Sequence, residues 1–146
     1  MKKHLKFLIL LVSLPLCSCA PVAETTKTLW GSSTRALENA RTEAISKIYS
    51  CTIDECFDGA LSLGRNYENL KPINDKFYDV FLQDRIKSHM VVMGIKGNVN
   101  TTEVGIFFSQ ISETKTKIEI TSLSSNAKQK VADALFEELD FKFKSE

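Results

Sequence analysis

Histidine, tryptophan, glycine and proline are all scarce in this chain. Its 146 residues include two His, one Trp, six Gly and three Pro. His4 lies in a basic N-terminal stretch, which leaves His89 as the single imidazole of the rest of the chain. A zinc site needs about four ligands of the Cys/His/carboxylate kind, and one His with few Cys is a poor start for one. The glycines form no Gly-x-Gly-x-x-Gly fingerprint and no phosphate loop: Gly94-Ile95-Lys96-Gly97 matches neither pattern. Neither sign of charge dominates, with 19 Lys and Arg against 18 Asp and Glu. No clustered basic face is visible, so no nucleic-acid partner is expected. No internal repeat or low-complexity tract is present. The longest apolar run is about half the roughly twenty residues that a membrane-spanning helix requires.

What is present begins at residue 1. Met1-Lys2-Lys3-His4-Leu5-Lys6 is basic, Phe7 to Leu16 is apolar and broken by Pro15, and Cys17-Ser18-Cys19-Ala20 follows. A basic region, a short greasy region and small residues make a secretory signal rather than a span. Leu16-Cys17-Ser18-Cys19 resembles the bacterial lipobox, in which the peptidase cuts before a cysteine that then carries lipid. Cleavage before Cys19 places Ser18 at the position that requires a small residue, whereas cleavage before Cys17 would place Leu16 there. The expectation is a signal peptide over 1–18, lipidation (palmitate and related acyl chains) at Cys19, a tether over 19–32 and a single domain over 33–146. An ordinary cleavable signal without lipid is the alternative. Several acyl chains anchor firmly, because each buried methylene contributes about 0.8 kcal/mol. The lipoprotein resemblance also bears on sorting. Asp after the lipidated cysteine commonly retains such proteins in the inner membrane, and here that residue is Ala20. In a Gram-negative cell the outer membrane, on its periplasmic side, is the expected address.

Without residues 1–18 the chain keeps 128 residues, with 16 basic and 18 acidic side chains after Lys2, Lys3 and Lys6 leave. That length suffices for one domain with a real core. Cys51 and Cys56 remain as a close pair in an exported protein, where disulfides persist. The expected result is a small-loop disulfide pinning a turn between two helices. A redox couple usually spaces its cysteines by two residues.

Helical spacing starts at Ser33. Leu37, Ala40, Ala44, Ile45 and Ile48 fall three and four apart, with Glu38, Arg41, Glu43 and Lys47 opposite. A second, shorter helix follows the cysteines, with Asp54 as a cap, Phe57, Ala60 and Leu61 on one face and Gly64 as its stop. Arg65 to Lys76, with Pro72 and Asn74-Asp75, reads as loop. Four strands are expected over 77–83, 86–95, 101–110 and 115–123. In the last, Ile118 and Ile120 point inward while Lys117 and Glu119 point outward. Period two with one solvated face indicates an antiparallel sheet covered on one side. Ser124-Ser125-Asn126 offers helix caps. Ala127, Val131, Ala134, Leu135 and Leu139 form a buried stripe beyond them, and the tail 140–144 alternates like a short edge strand. Trp30 is read as packing at the edge of the core. The expected fold is α+β: a two-layer sandwich with a four-stranded antiparallel meander and helices on one face, in the order α-α-β-β-β-β-α.

The stretches Thr102 to Phe108 and Thr116 to Ser125, followed by the terminal helix, resemble the ending of small bacterial lipoproteins without an established activity. They also resemble, more distantly, the helix–sheet domains of the BamC type of outer-membrane assembly lipoprotein. The resemblance implies architecture and compartment and supplies no catalytic residue. No cofactor is expected.

The residues themselves offer little chemistry. His89 sits mid-strand without an evident partner, and such a residue is most simply structural. Ser125-Asn126-Ala127-Lys128 matches Ser-x-x-Lys, but the accompanying Ser-Asp-Asn and Lys-Thr-Gly triplets are missing, so these serines read as caps. Asp75, Asp79 and Asp84 could hold a cation, though turn chemistry accounts for Asp75 and Asp84. Asn100-Thr101-Thr102 matches a glycosylation sequon of little meaning in a bacterium. Phe107, Met90 and Met93 form a possible binding surface if the sheet's outer face is partly apolar, the plainer reading being that they fill the core. The expected function is non-enzymatic: a membrane-anchored lipoprotein with acylated Cys19 in the membrane and another envelope component, protein or cell-wall polymer, as partner. A carrier of a small apolar ligand in a groove on the sheet is the runner-up, and a hydrolase is third.

Overall fold

Alternation in the second half of the chain produces the expected meander, and two further strands extend it at either edge. The computed structural model describes residues 34–65, 76–97 and 102–145. The signal, Cys19, the tether, Trp30, Pro72, Asp75 and Asn100-Thr101 lie outside the described residues. Residues 34–39 are helical and run into a 3-10 turn, Ala40–Glu43. The elements that follow are β1 (Ile45–Tyr49), α1 (Ile53–Leu63), β2 (Gly64–Arg65), β3 (Tyr78–Asp84), β4 (His89–Met93), β5 (Val104–Ser112), β6 (Lys115–Thr121) and α2 (Ser125–Lys142). The sheet order is β1-β6-β5-β4-β3-β2, antiparallel throughout except for the two-residue β2, which pairs parallel with β3.

The mixed α+β character and the four central strands agree with the sequence reading; the edges correct it. The first expected helix ends at Glu43. Ile45 to Tyr49 form a strand because their backbone pairs with β6, from Ile45↔Ile120 to Tyr49↔Thr116. The predicted strand from Ile86 is also shorter. Residues 85–88 make the β3–β4 turn, closed by Ser88 in the left-handed region at φ 51° and by the Asp84 carboxylate accepting from Lys87 N–H. At the C-terminus, the helix continues through Lys142, and Ser145 then makes an isolated bridge to Tyr49.

One face of the sheet carries the main core. Met90, Val92, Ile106, Phe108, Ile118 and Ile120 pack there beneath Phe57 and Ala60 of α1 and Val131, Leu135 and Leu139 of α2. Burying each large aliphatic or aromatic side chain contributes about 1.5–3 kcal/mol. The helices approach closely at Gly59, where an added Cβ would lie 2.5 Å from Leu139 Cδ2. Tyr78, fully buried, donates its hydroxyl to the Ala60 carbonyl at 2.6 Å, joining β3 to α1. Burial and the nearby Glu138 charge push the phenol's pKa well above the ordinary tyrosine range. Helices do not cover one face alone. Residues 34–43 lie across the opposite face, where Leu37 packs with Val91, Phe107 and Leu82.

Candidate functional site

The residues singled out from the sequence are spread over the disulfide turn, both faces of the sheet, the β3 strand and the start of α2.

Cys51 and Cys56 are disulfide-bonded with their Cα atoms 6.0 Å apart, and both are buried. Because β1 replaces the end of the expected first helix, the bridge pins a strand-to-helix turn. Thr52, not Asp54, caps α1. Its hydroxyl accepts from Glu55 N–H, and the Glu55 carboxylate accepts in return from Thr52 N–H at 2.8 Å, a complete capping box. Those hydrogen bonds, led by the one from Thr52 N–H, hold the Glu55 carboxyl below its ordinary value. The turn is tied to the sheet by Thr116, whose buried hydroxyl donates to the Cys51 carbonyl at 2.9 Å.

The binding surface expected from Phe107, Met90 and Met93 does not form. Met90 pairs with Ile106 and is fully buried in the main core. Phe107 pairs with His89, so it lies on the other face, where it is buried against Leu37 and overlain by the Arg41 guanidinium 4.9 Å from the ring centre. Met93, half-buried, is three residues from Met90 and therefore on the opposite face from it. A period of two cannot bring residues 90 and 93 together.

His89 is 3% exposed and stacks on Phe107 at 5.8 Å between ring centres. Its Nε2 has no hydrogen-bond partner. Among the described residues no hydroxyl or thiol lies within hydrogen-bond reach of that nitrogen, so the ring is not paired with a nucleophile as a general base would be. Glu119 points to this face as expected, but it is buried rather than solvated. Arg41 Nη2 pairs with its carboxylate and also donates to Ser109 Oγ at 3.2 Å, and Lys117 Nζ lies 3.1 Å from the other carboxylate oxygen. Burial acts to raise the Glu119 pKa, but the hydrogen bonds and charges of Arg41 and Lys117 outweigh it and hold the carboxyl below its ordinary value.

The remaining candidates have structural roles. Asp79 pairs with Lys76 at 2.6 Å, and Asp84 closes its turn. Among the described residues no group of three His, Cys, Asp or Glu is placed to hold a metal. The Ser124 hydroxyl accepts from Ala127 N–H as the α2 cap, Ser125 is exposed, and Lys128 Nζ donates to the Glu43 carbonyl at 2.6 Å. The Ser-x-x-Lys pattern is therefore an exposed serine just after the cap and a lysine that tethers the N-terminal segment.

Three of the large apolar side chains exposed among the described residues lie at the turn end, while Leu123 is exposed at the other. Ile86 in the β3–β4 turn is 97% exposed, Phe141 in the last turn of α2 is 90% exposed, and Ile111 beside the β5–β6 turn is more than half exposed. In a meander these two turns fall at the same end, and α2 finishes there too, since Ser145 bridges Tyr49 and Tyr49 pairs with Thr116. Arg85 fastens the β3–β4 turn to α1 through Asp54 and Asp58 and lies 4.6 Å from the Phe57 ring centre. An isoleucine inside a turn flanked by Asp84, Arg85 and Lys87 was the available sequence signal.

No helix among the described residues is long and apolar enough to cross a membrane. No protein-family model, curated protein or solved structure matches the chain.

Proposed function

We propose that this chain is a membrane-anchored, non-enzymatic bacterial lipoprotein, held by acylated Cys19, that binds another envelope component through the turn end of its sheet. The anchor rests on the basic, apolar and Leu16-Cys17-Ser18-Cys19 sequence. The binding part rests on one observation: Ile86, Ile111 and Phe141 stand exposed on three elements that finish at the same end. Scattered single apolar side chains are ordinary on a surface, whereas a set grouped on one rigid end marks an interaction site. The disulfide, the capping box and the Arg85 ion pairs stiffen that end, which lowers the ordering cost of binding. The partner class is an envelope protein, with a cell-wall polymer as the other outcome. The carrier reading needs a groove on the sheet, and α1 with α2 fills the face that carries Met90.

The test is photocrosslinking in intact cells from residues placed at Ile86 or Ile111, with Gln129 on exposed α2 as control. A shared adduct from positions 86 and 111, absent from 129 and lost in Cys19→Ala, supports the proposal. No adduct, or equal adducts from all three positions, overturns it.

A further inference from the structure

We infer that residues 34–43 form a releasable strap, able to lift from the second face of the sheet while the main core stays folded. This does not depend on what the turn end binds.

The two faces of the sheet are unequal. Among the described residues, the main core joins twenty buried residues, mostly from the sheet, α1 and α2, whereas the cluster under the strap joins Leu37, Val91 and Phe107, with Leu82 beside it. Segments with few buried apolar contacts open locally at a fraction of the cost of global unfolding. The strap also precedes β1, so lifting it breaks no strand pairing. The chain is already extended at Ala44, with φ −66° and ψ 143°, which gives the strap a ready hinge.

Among the described residues, two buried side-chain polar atoms lack hydrogen-bond partners, His89 Nε2 and Thr121 Oγ1. Register places both on the strap's face, because His89 opposes Phe107 and Thr121 opposes Gly105. A Cβ at Gly105 would meet Thr121 Oγ1 at 2.9 Å and Leu37 Cβ at 3.3 Å, so the strap and this hydroxyl both close on the bare Gly105 backbone. An unpartnered buried polar group is penalised in the closed form, and water relieves that penalty when the cover lifts. The closed form is therefore held by Leu37 and by a polar latch. Arg41 grips Glu119 and Ser109 across the Phe107 ring, and Lys128 holds the Glu43 carbonyl. Release uncovers Phe107, Val91 and Leu82, an apolar patch distinct from the turn end.

Hydrogen exchange read by mass spectrometry on the full processed chain tests the strap. Amides within 35–43 should exchange at least about tenfold faster than those of β5 and β6. Glu119→Gln weakens the latch and should speed strap exchange about two- to fivefold, with β5 and β6 unchanged. Thr121→Val keeps the shape but removes the unpartnered hydroxyl, and should slow strap exchange about tenfold. Strap and core amides sharing one exchange rate, or shifting together in Glu119→Gln, would overturn the inference. So would a strap unmoved by Glu119→Gln, even if the Thr121 variant fails to fold.

Discussion

Replacing both Cys51 and Cys56 with alanine should lower stability by about 2 kcal/mol. The cysteines are five residues apart in sequence. For a loop of that length, the chain-entropy relation gives roughly 7 cal/mol/K lost from the unfolded ensemble, or about 2 kcal/mol at 25 °C. Both sulfurs are buried in the main core, so truncation adds a small packing loss to that figure. The native turn keeps its other ties, since the Thr52–Glu55 capping box and the Thr116 to Cys51 hydrogen bond survive the substitution. With a urea dependence of about 1–3 kcal/mol per molar for a domain of this size, the unfolding midpoint should fall by about 1 M. Equilibrium urea unfolding followed by tryptophan-independent circular dichroism reads this directly. Reducing the wild-type protein should move the midpoint nearly as far as the double substitution does. A shift smaller than about 0.3 M would refute the entropic argument, because the loop would then be ordered in the unfolded chain too. A double variant that falls while the reduced wild type does not would assign the loss to packing alone.

Thr52→Ala removes the α1 cap and should cost about 1 kcal/mol, seen as a lower urea midpoint with unchanged slope; an unaltered midpoint would mean that the disulfide alone sets the helix start. Gly59→Ala adds a Cβ 2.5 Å from Leu139 Cδ2. Overpacking there costs about 1–3 kcal/mol, against about 1 kcal/mol gained in helix propensity. Leu139 is fully buried and cannot swing aside, so thermal denaturation should show a net loss, and a stabilised variant would show that the helices separate freely. Acid should loosen the strap before the core. Glu119 has its pKa lowered in the folded state by Arg41 and Lys117 against the opposing effect of burial. Its contribution is therefore fully present above the ordinary carboxyl value of 4.5 and is lost as pH falls through the lowered one. Amide shifts of residues 37–43, followed by NMR from about pH 6 to about pH 3, should change before those of β5, and a change centred above that ordinary value would contradict the assignment.

Much of the fold was legible because period-two alternation is a local signal. Ile118 and Ile120 against Lys117 and Glu119 gave the strand and its facing, Ser124 gave the start of α2, and Gly64 gave the stop of α1. The misreadings came from tertiary context. Ile45 and Ile48 suit a helical stripe by spacing, yet Ile45, Ile48 and Tyr49 are also strand formers, and pairing with β6 decided between them. Nothing local announced that residues 34–43 would return across the second face. Glu119 therefore reads as solvated although it is buried. Met90 and Met93 were grouped by chemistry, when their spacing of three already placed them on opposite faces. Ile86 was read as the start of a strand, when its charged neighbours in the turn left it exposed.

The anchor carries the account, and the mass of the processed N-terminus tests it most directly. Protein extracted from membranes of expressing cells should begin at Cys19 and carry the added mass of acyl chains, and Cys19→Ala should abolish both the added mass and the membrane fraction. A chain that begins at another residue, without lipid and released in soluble form, would contradict it.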